Sequence, residues 1–273
     1  MFPPAVAAHF PRWLWPLTLG VLALTAGVWL TVTPPGALGK AGAIGYAICH
    51  RIDGRSFHIA GEPLPLCARC TGIYLGAVAG VAVLAVLGRG RAGGLPRLPF
   101  LVVLVAFIAL MGLDGVNSYA TLFKGLPHLY EPQNWLRLVT GTLNGVAVAG
   151  LIYPVFVQTL WRDWVDRPVL GRWRELGLLL AAAAGLILLV LSDEPLILYP
   201  LALLSAAGVL MLLTMLYMIG LLALTNRQNT LTTWRSAAWP LTAGLTLALL
   251  QIAVIDAARF AVFQSWAGFV FGS

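Results

Sequence analysis

Seven stretches of this chain are apolar over roughly the ~20 residues that an α-helix needs to cross the hydrocarbon of a bilayer, and no other feature narrows its possible folds as much. They cover residues 12–33, 71–87, 99–118, 136–160, 176–192, 196–224 and 237–258. Backbone groups facing lipid have no water to bond, so spanning segments must satisfy their own N–H and C=O groups. The chain therefore reads as an all-α transmembrane bundle of about seven spans, with 1–273 forming one integral membrane unit.

Composition supports the same class. The 273 residues are 60% hydrophobic and only 10% charged, less than half the charge of about 25% typical of soluble domains. Disorder requires the opposite balance, and three cysteines are too few for a disulfide scaffold. The 17 Lys+Arg against 10 Asp+Glu read as cationic loops beside membrane lipids, with no nucleic-acid partner.

The first apolar run has a positive flank, as a signal peptide does, but Thr-Pro-Pro-Gly follows where a cleavage site would stand, which predicts an uncleaved anchor. Counting Lys and Arg on alternate sides gives ten against seven in favour of a cytoplasmic N-terminus. The expected location is the cell membrane, with the C-terminus and the connection 34–70 extracytoplasmic. Residues 259–273, too short to cross, are expected to lie in the interface as a helix carrying Phe260, Phe263, Trp266 and Phe269.

The connection 34–70 is the longest and holds all three cysteines and two of the four histidines. Cys67 and Cys70 form a Cys-x-x-Cys pair, with Cys49, His50 and His58 upstream. Thiolate and imidazole are the donors of tetrahedral zinc sites, so a zinc site of Cys49, Cys67, Cys70 and either His50 or His58 is expected, with a structural role. A haem c attachment is excluded because Thr71, not His, follows Cys70. A disulfide or a thiol redox pair at Cys67 and Cys70, at the start of a helix whose positive end lowers thiol pKa, stays open beside it.

Arg51, Arg55 and Arg69 surround these cysteines. They would stabilise thiolates, bind an anion such as a lipid phosphate through bidentate guanidinium contacts, or simply meet headgroups. If the metal kept an open position, the chain would be a membrane enzyme acting on a lipid or phosphate-bearing headgroup. The residues themselves assign no reaction and no catalytic group.

Within the spans, Asp114 and Asn117 lie three apart near one end of the third run, and Asn134 and Arg137 repeat that spacing at the start of the fourth. A charge at such depth needs a partner, and Arg137 is the expected partner of Asp114. These four, with Arg55 and Arg69, are expected to line a polar pocket, or else to lock helices together. Gly72, Gly76 and Gly80, and Gly141 and Gly145 with Ala149, form small-residue stripes that permit close helix approach. If the stripes face each other, the cysteine connection and the Asn134/Arg137 pair meet at one end of the bundle. Asp256 and Arg259, near the end of the last span, are secondary candidates.

The run Cys49-His50, Arg55-Ser56-Phe57 and Pro65-Leu66-Cys67-Ala68-Arg69-Cys70-Thr71-Gly72-Ile73-Tyr74-Leu75-Gly76 resembles the signature of the predicted membrane proteins grouped as domain of unknown function 2085. Asp114-Gly115 and Asn134 with Arg137, Thr140 and Gly141 are similar to later motifs of that family. The resemblance covers 49–150 and implies a multi-pass membrane protein without an assigned reaction. His58 does not match the family pattern, so the resemblance favours His50 as the fourth ligand.

Overall fold

The computed structural model describes residues 10–123 and 126–269. Among them are eight helices: α1 (Leu14–Val32), α2 (Gly36–Ile48), α3 (Ala68–Val86), α4 (Leu98–Ala120), α5 (Asn134–Leu160), α6 (Trp173–Leu191), α7 (Pro195–Leu224) and α8 (Trp234–Phe263). All but α2 are long and apolar enough to span a membrane, which makes the seven expected spans. The only sheets among the described residues are two-stranded: β1 (His58–Ile59) with β2 (Glu62–Pro63), antiparallel, and β3 (Ala92–Gly94) with β4 (Val165–Pro168), parallel.

The bundle is organised around α5, the most enclosed span, while α1 is almost wholly exposed on its outside. The closest packing joins α3 to α5, and the small-residue stripes explain it, because they face each other. A methyl group at Gly72 would stand 2.5 Å from the Leu138 carbonyl oxygen, and one at Gly80 would stand 2.5 Å from the Ala149 methyl. Gly76 abuts the Thr142 backbone, and from the other side Gly141 abuts Arg69 and Gly145 abuts Ile73. Without an appreciable hydrophobic force between helices in lipid, such backbone proximity is where dispersion contacts accumulate. Because Gly72 lies two residues after Cys70 and Gly141 four residues after Arg137, the same contact draws the cysteine motif to the head of α5.

Two expectations are corrected. The connection 34–70 is not simply a loop, since α2 occupies a third of it and buries Ala41 to Tyr46. Glycines at 36, 39, 42 and 45 give α2 a narrow face on which Gly45 rests against the Pro65 carbonyl. The C-terminal stretch does not begin a separate interfacial helix: α8 continues to Phe263, and Gln264 then takes a left-handed conformation (φ 50°) that turns the chain back. Residues 265–269 return over the cysteine segment, where the Phe269 N–H donates to the His50 carbonyl (2.8 Å). Residues 270–273 of that stretch, and Lys124 from the charge count, lie outside the described residues.

Candidate functional site

Three backbone elements bring the cysteines together. Cys49 ends α2, its N–H bonded to the Gly45 carbonyl at 2.8 Å. Arg51 then adopts φ 48°, a left-handed conformation uncommon outside glycine, and reverses the chain. Cys67 sits just before α3 and Cys70 in its first turn, so their three-residue spacing places them on one face. The three Sγ atoms lie within 4.8 Å of one another. Tetrahedral zinc with Zn–S bonds of about 2.3 Å separates its sulfurs by about 3.8 Å, inside that limit.

The thiols are free, and Cys49 (4% exposed) and Cys67 (2%) are shut away from bulk water. The backbone amides of Arg51 and Cys67 each donate to Cys49 Sγ at 3.4 Å. Hydrogen bonds from the Cys67 and Cys70 thiols hold Cys49 well below the ordinary thiol range, against the opposing effect of burial. The bond to Cys49, with burial adding to it, pushes Cys67 up to about 12. Of the two, Cys49 is therefore the thiol that ionises more readily, with the amide N–H groups of Arg51 and Cys67 placed to stabilise the charge.

Neither histidine belongs to this thiol group. His50 Nδ1 accepts a hydrogen bond from the Ile52 N–H (3.0 Å), which leaves the proton of the neutral ring on Nε2. Burial lowers the pKa of His50; the Cys49 charge raises it, and the charges of Arg55, Arg69 and Arg137 lower it further. His58 lies on the β1–β2 hairpin, its Nε2 3.0 Å from Asp53 Oδ1.

Beside the sulfurs, polar side chains gather at the end of α4. The expected Asp114–Arg137 pair does not form. Asp114 is ion-paired with Arg69, whose Nε lies 3.1 Å from Oδ2 and whose Nη2 makes a closer contact to the same oxygen. The Tyr130 hydroxyl donates to Asp114 Oδ1 (2.7 Å) and the Thr140 hydroxyl to Oδ2 (3.3 Å). Arg69 wins because it enters from the start of α3, held against α5 by the glycine contact. Arg137 instead donates to Asn134 Oδ1 (2.8 Å) and, through Nε, to Ser118 Oγ (3.4 Å), which also accepts from Arg69 Nη2 (2.9 Å). Arg55 Nη2 donates to Thr121 Oγ1 (3.3 Å) one turn further along.

The two asparagines fix backbone. Asn117 Oδ1 accepts from the Leu129 N–H (2.6 Å) and its Nδ2 donates to the Tyr130 carbonyl (2.9 Å). Asn134 Nδ2 donates to the Ser56 carbonyl (3.2 Å), tying the cysteine segment to α5. Arg51 turns the other way, donating to the carbonyls of Trp266 (3.0 Å) and Gly42 (3.4 Å).

The family model described as "Predicted membrane protein (DUF2085)" matches residues 49–151. An uncharacterized protein of Methanocaldococcus jannaschii is 30% identical over 117 residues, covering 43% of this chain and 69% of that protein. This chain belongs to the DUF2085 family. A second uncharacterized protein, from Methanothermobacter thermautotrophicus, is 60% identical over 30 residues, which is 11% of this chain and 27% of that one. No solved structure matches. The DUF2085 region holds all three cysteines, Arg55, Arg69, Asp114 and Arg137, and the facing glycine stripes of α3 and α5, whereas α1, α2 and α6 to α8 lie outside it.

Several residues of the site escaped the sequence reading. Ser118, Thr121 and Tyr130 are unremarkable in sequence, and only the fold makes them partners of arginines and of Asp114. Arg259 donates to the Cys49 carbonyl (2.8 Å) and stacks on the Tyr46 ring at 3.9 Å, joining α8 to the thiol centre. The other secondary candidate, Asp256, faces α1 instead, accepting from Trp29 Nε1 at 2.8 Å. The four-residue spacing of Ser118 after Asp114, on the same helix face, was the one available signal.

Proposed function

We propose that this protein is a metal-binding integral membrane protein in which Cys49, Cys67 and Cys70 hold a zinc ion that braces the junction of α2, the β1–β2 hairpin and α3. The observation that carries the reading is the convergence of three thiols from two separate segments, two of them buried and the third partly so, around a point of metal-site dimensions. Zinc would supply the cross-link, and its positive charge would convert the remaining thiols to thiolates. The amides of Arg51 and Cys67 on Cys49 Sγ are the outer hydrogen bonds that such a centre needs. His50 completes the set by giving up its bond to the Ile52 amide. His58 is the lesser candidate, because its ring is already paired to Asp53.

A second reading rests on the donor count. Three protein ligands are the number found where zinc keeps an open position, and an open metal beside arginines suits an enzyme acting on a lipid or phosphate-bearing headgroup. In either case the thiol centre is assigned to the extracytoplasmic face with the N-terminus in the cytoplasm, by the Lys and Arg count.

Elemental analysis of the full chain purified in neutral detergent tests the first reading. One zinc per chain is expected, lost in Cys70→Ser together with thermal stability. A metal-free protein with a Cys67–Cys70 disulfide would overturn it in favour of redox exchange. Cobalt substitution separates the two metal readings: spectra indifferent to added azide mean a closed four-ligand site, and spectra that shift mean an open one.

A further inference from the structure

The polar cluster at the end of α4 is unbalanced. Three guanidiniums meet within one helical turn: Arg69 and Arg137 share Ser118 Oγ, and Arg55 is bonded to Thr121, whose hydroxyl in turn donates to the Ser118 carbonyl at 2.9 Å. One carboxylate answers them. Asp114 is fully engaged, with Arg69 and the Thr140 hydroxyl on one oxygen and Tyr130 on the other. Among the described residues Arg55 and Arg137 have no carboxylate partner, the nearby acids Asp53 and Glu131 being exposed and paired with His58 and His128.

Arg137 is only 6% exposed. A cation buried at the end of a membrane bundle without a counter-charge is disfavoured unless something neutralises it. Among the described residues its hydrogen bonds run from Nε and Nη1 alone, and Nη2 makes none.

We propose that Arg55, Arg69 and Arg137 form an anion site at this end of the bundle that takes a phosphate group, borne by a lipid headgroup or free in solution. Three guanidiniums against one carboxylate leave positive charge in excess even where Cys49 is ionised, and a phosphate monoester carries about −1.5 to −2 at neutral pH. Planar guanidinium forks also match phosphate oxygens in bidentate fashion. Arg51, which sequence grouped with these residues, is excluded because its side chain turns the other way, its Nη1 donating to the carbonyls of Gly42 and Trp266. The three arginine side chains bond to Thr121, Asp114, Ser118 and Asn134 and not to a thiol, so the site is tested separately from the metal.

The test uses the full chain with its zinc content measured on each sample. Inorganic phosphate is titrated calorimetrically into detergent-purified protein. In parallel, the melting temperature is compared in nanodiscs of phosphatidylcholine with and without phosphatidic acid. Saturable binding of phosphate, or a melting temperature raised by phosphatidic acid, supports the site. The first result identifies a soluble phosphate, the second alone a lipid headgroup. Arg137→Gln is expected to weaken the effect by about tenfold or more while zinc stays bound, and the exposed Arg235→Gln at the other end of the bundle to leave it unchanged. Should Arg137→Gln fail to fold, the half-buried Arg55→Gln carries the same expectation. Absence of both effects in the folded protein, or effects undiminished in both Arg55→Gln and Arg137→Gln, overturns the proposal.

Discussion

The two ends of this bundle each bury an arginine–carboxylate contact, and the contacts differ in what surrounds them. At the end remote from the cysteines, Arg89 (4% exposed) is ion-paired with Glu175 (7%). Glu175 also accepts the N–H of Gly171 (2.8 Å) and of Arg172 (3.2 Å) at the start of α6. One cation meets one anion, and the anion completes a helix cap. At the cysteine end, three cations meet one anion beside a cluster of thiols. Buried charge is thus not by itself a sign of function. A balanced pair locks helices, and an excess of one sign at a largely buried end of the bundle calls for something from outside.

Breaking the balanced pair should produce the larger effect. Arg89→Met leaves Glu175 buried without its cation, and removal of one partner of a buried pair costs about 3–5 kcal/mol. The expected outcome is a large drop in the detergent melting temperature, partly recovered in the double variant Arg89→Met/Glu175→Gln, which removes both charges and keeps the acceptor oxygen for the Gly171 amide. Added phosphate should not rescue the single variant. If it does, the two ends are not different in kind.

Asp114→Asn sharpens the contrast from the other side. It takes away the single carboxylate, but Arg69 keeps Ser118 Oγ and the backbone carbonyl of residue 114 as acceptors (2.9 and 3.1 Å), so the expected loss is smaller, about 1–3 kcal/mol. Phosphate should restore part of it, because the added excess of positive charge raises the benefit of a bound anion. Thermal unfolding with and without phosphate checks both statements.

Much of this contrast was legible in the sequence, and the illegible part has a physical reason. Hydropathy alone gave all seven spans, because the bilayer imposes a length on every helix. The facing glycine stripes were legible for the same reason that they work, since only small residues at four-residue spacing allow backbones to touch. The choice of Arg69 over Arg137 for Asp114 was not legible. Both arginines stand at a suitable depth, and the decision rests on how far each backbone is drawn in, a matter of ångströms that spacing does not encode. The hidden helix α2 was missed because its glycines at 36, 39, 42 and 45 lower intrinsic helix propensity. It forms by packing Gly42 and Gly45 against Arg51 and Pro65 of the cysteine segment and its body against α7, not by preference of its own residues.

The smallest expected effect concerns the thiols without metal, and its sign differs between Cys49 and Cys67. Cys49 has a depressed pKa, so its ionisation contributes stability that is present above the ordinary thiol value of 9.0 and is lost as pH falls through the lower folded value. Cys67 is raised from 9.0 to about 12, so its contribution is present below 9.0 and is lost as pH rises toward 12. Zinc-depleted protein should therefore reach its highest melting temperature between the two transitions and lose stability on both sides, whereas Cys49→Ala should flatten the acid limb and weaken the alkaline one. The Arg89–Glu175 end has no thiol, so Arg89→Met should lower the curve while leaving the shape of its alkaline limb unchanged. A curve whose alkaline limb is unchanged by Cys49→Ala would mean that Cys67 does not bond to Cys49, and the thiol end would then be a packing contact like its counterpart.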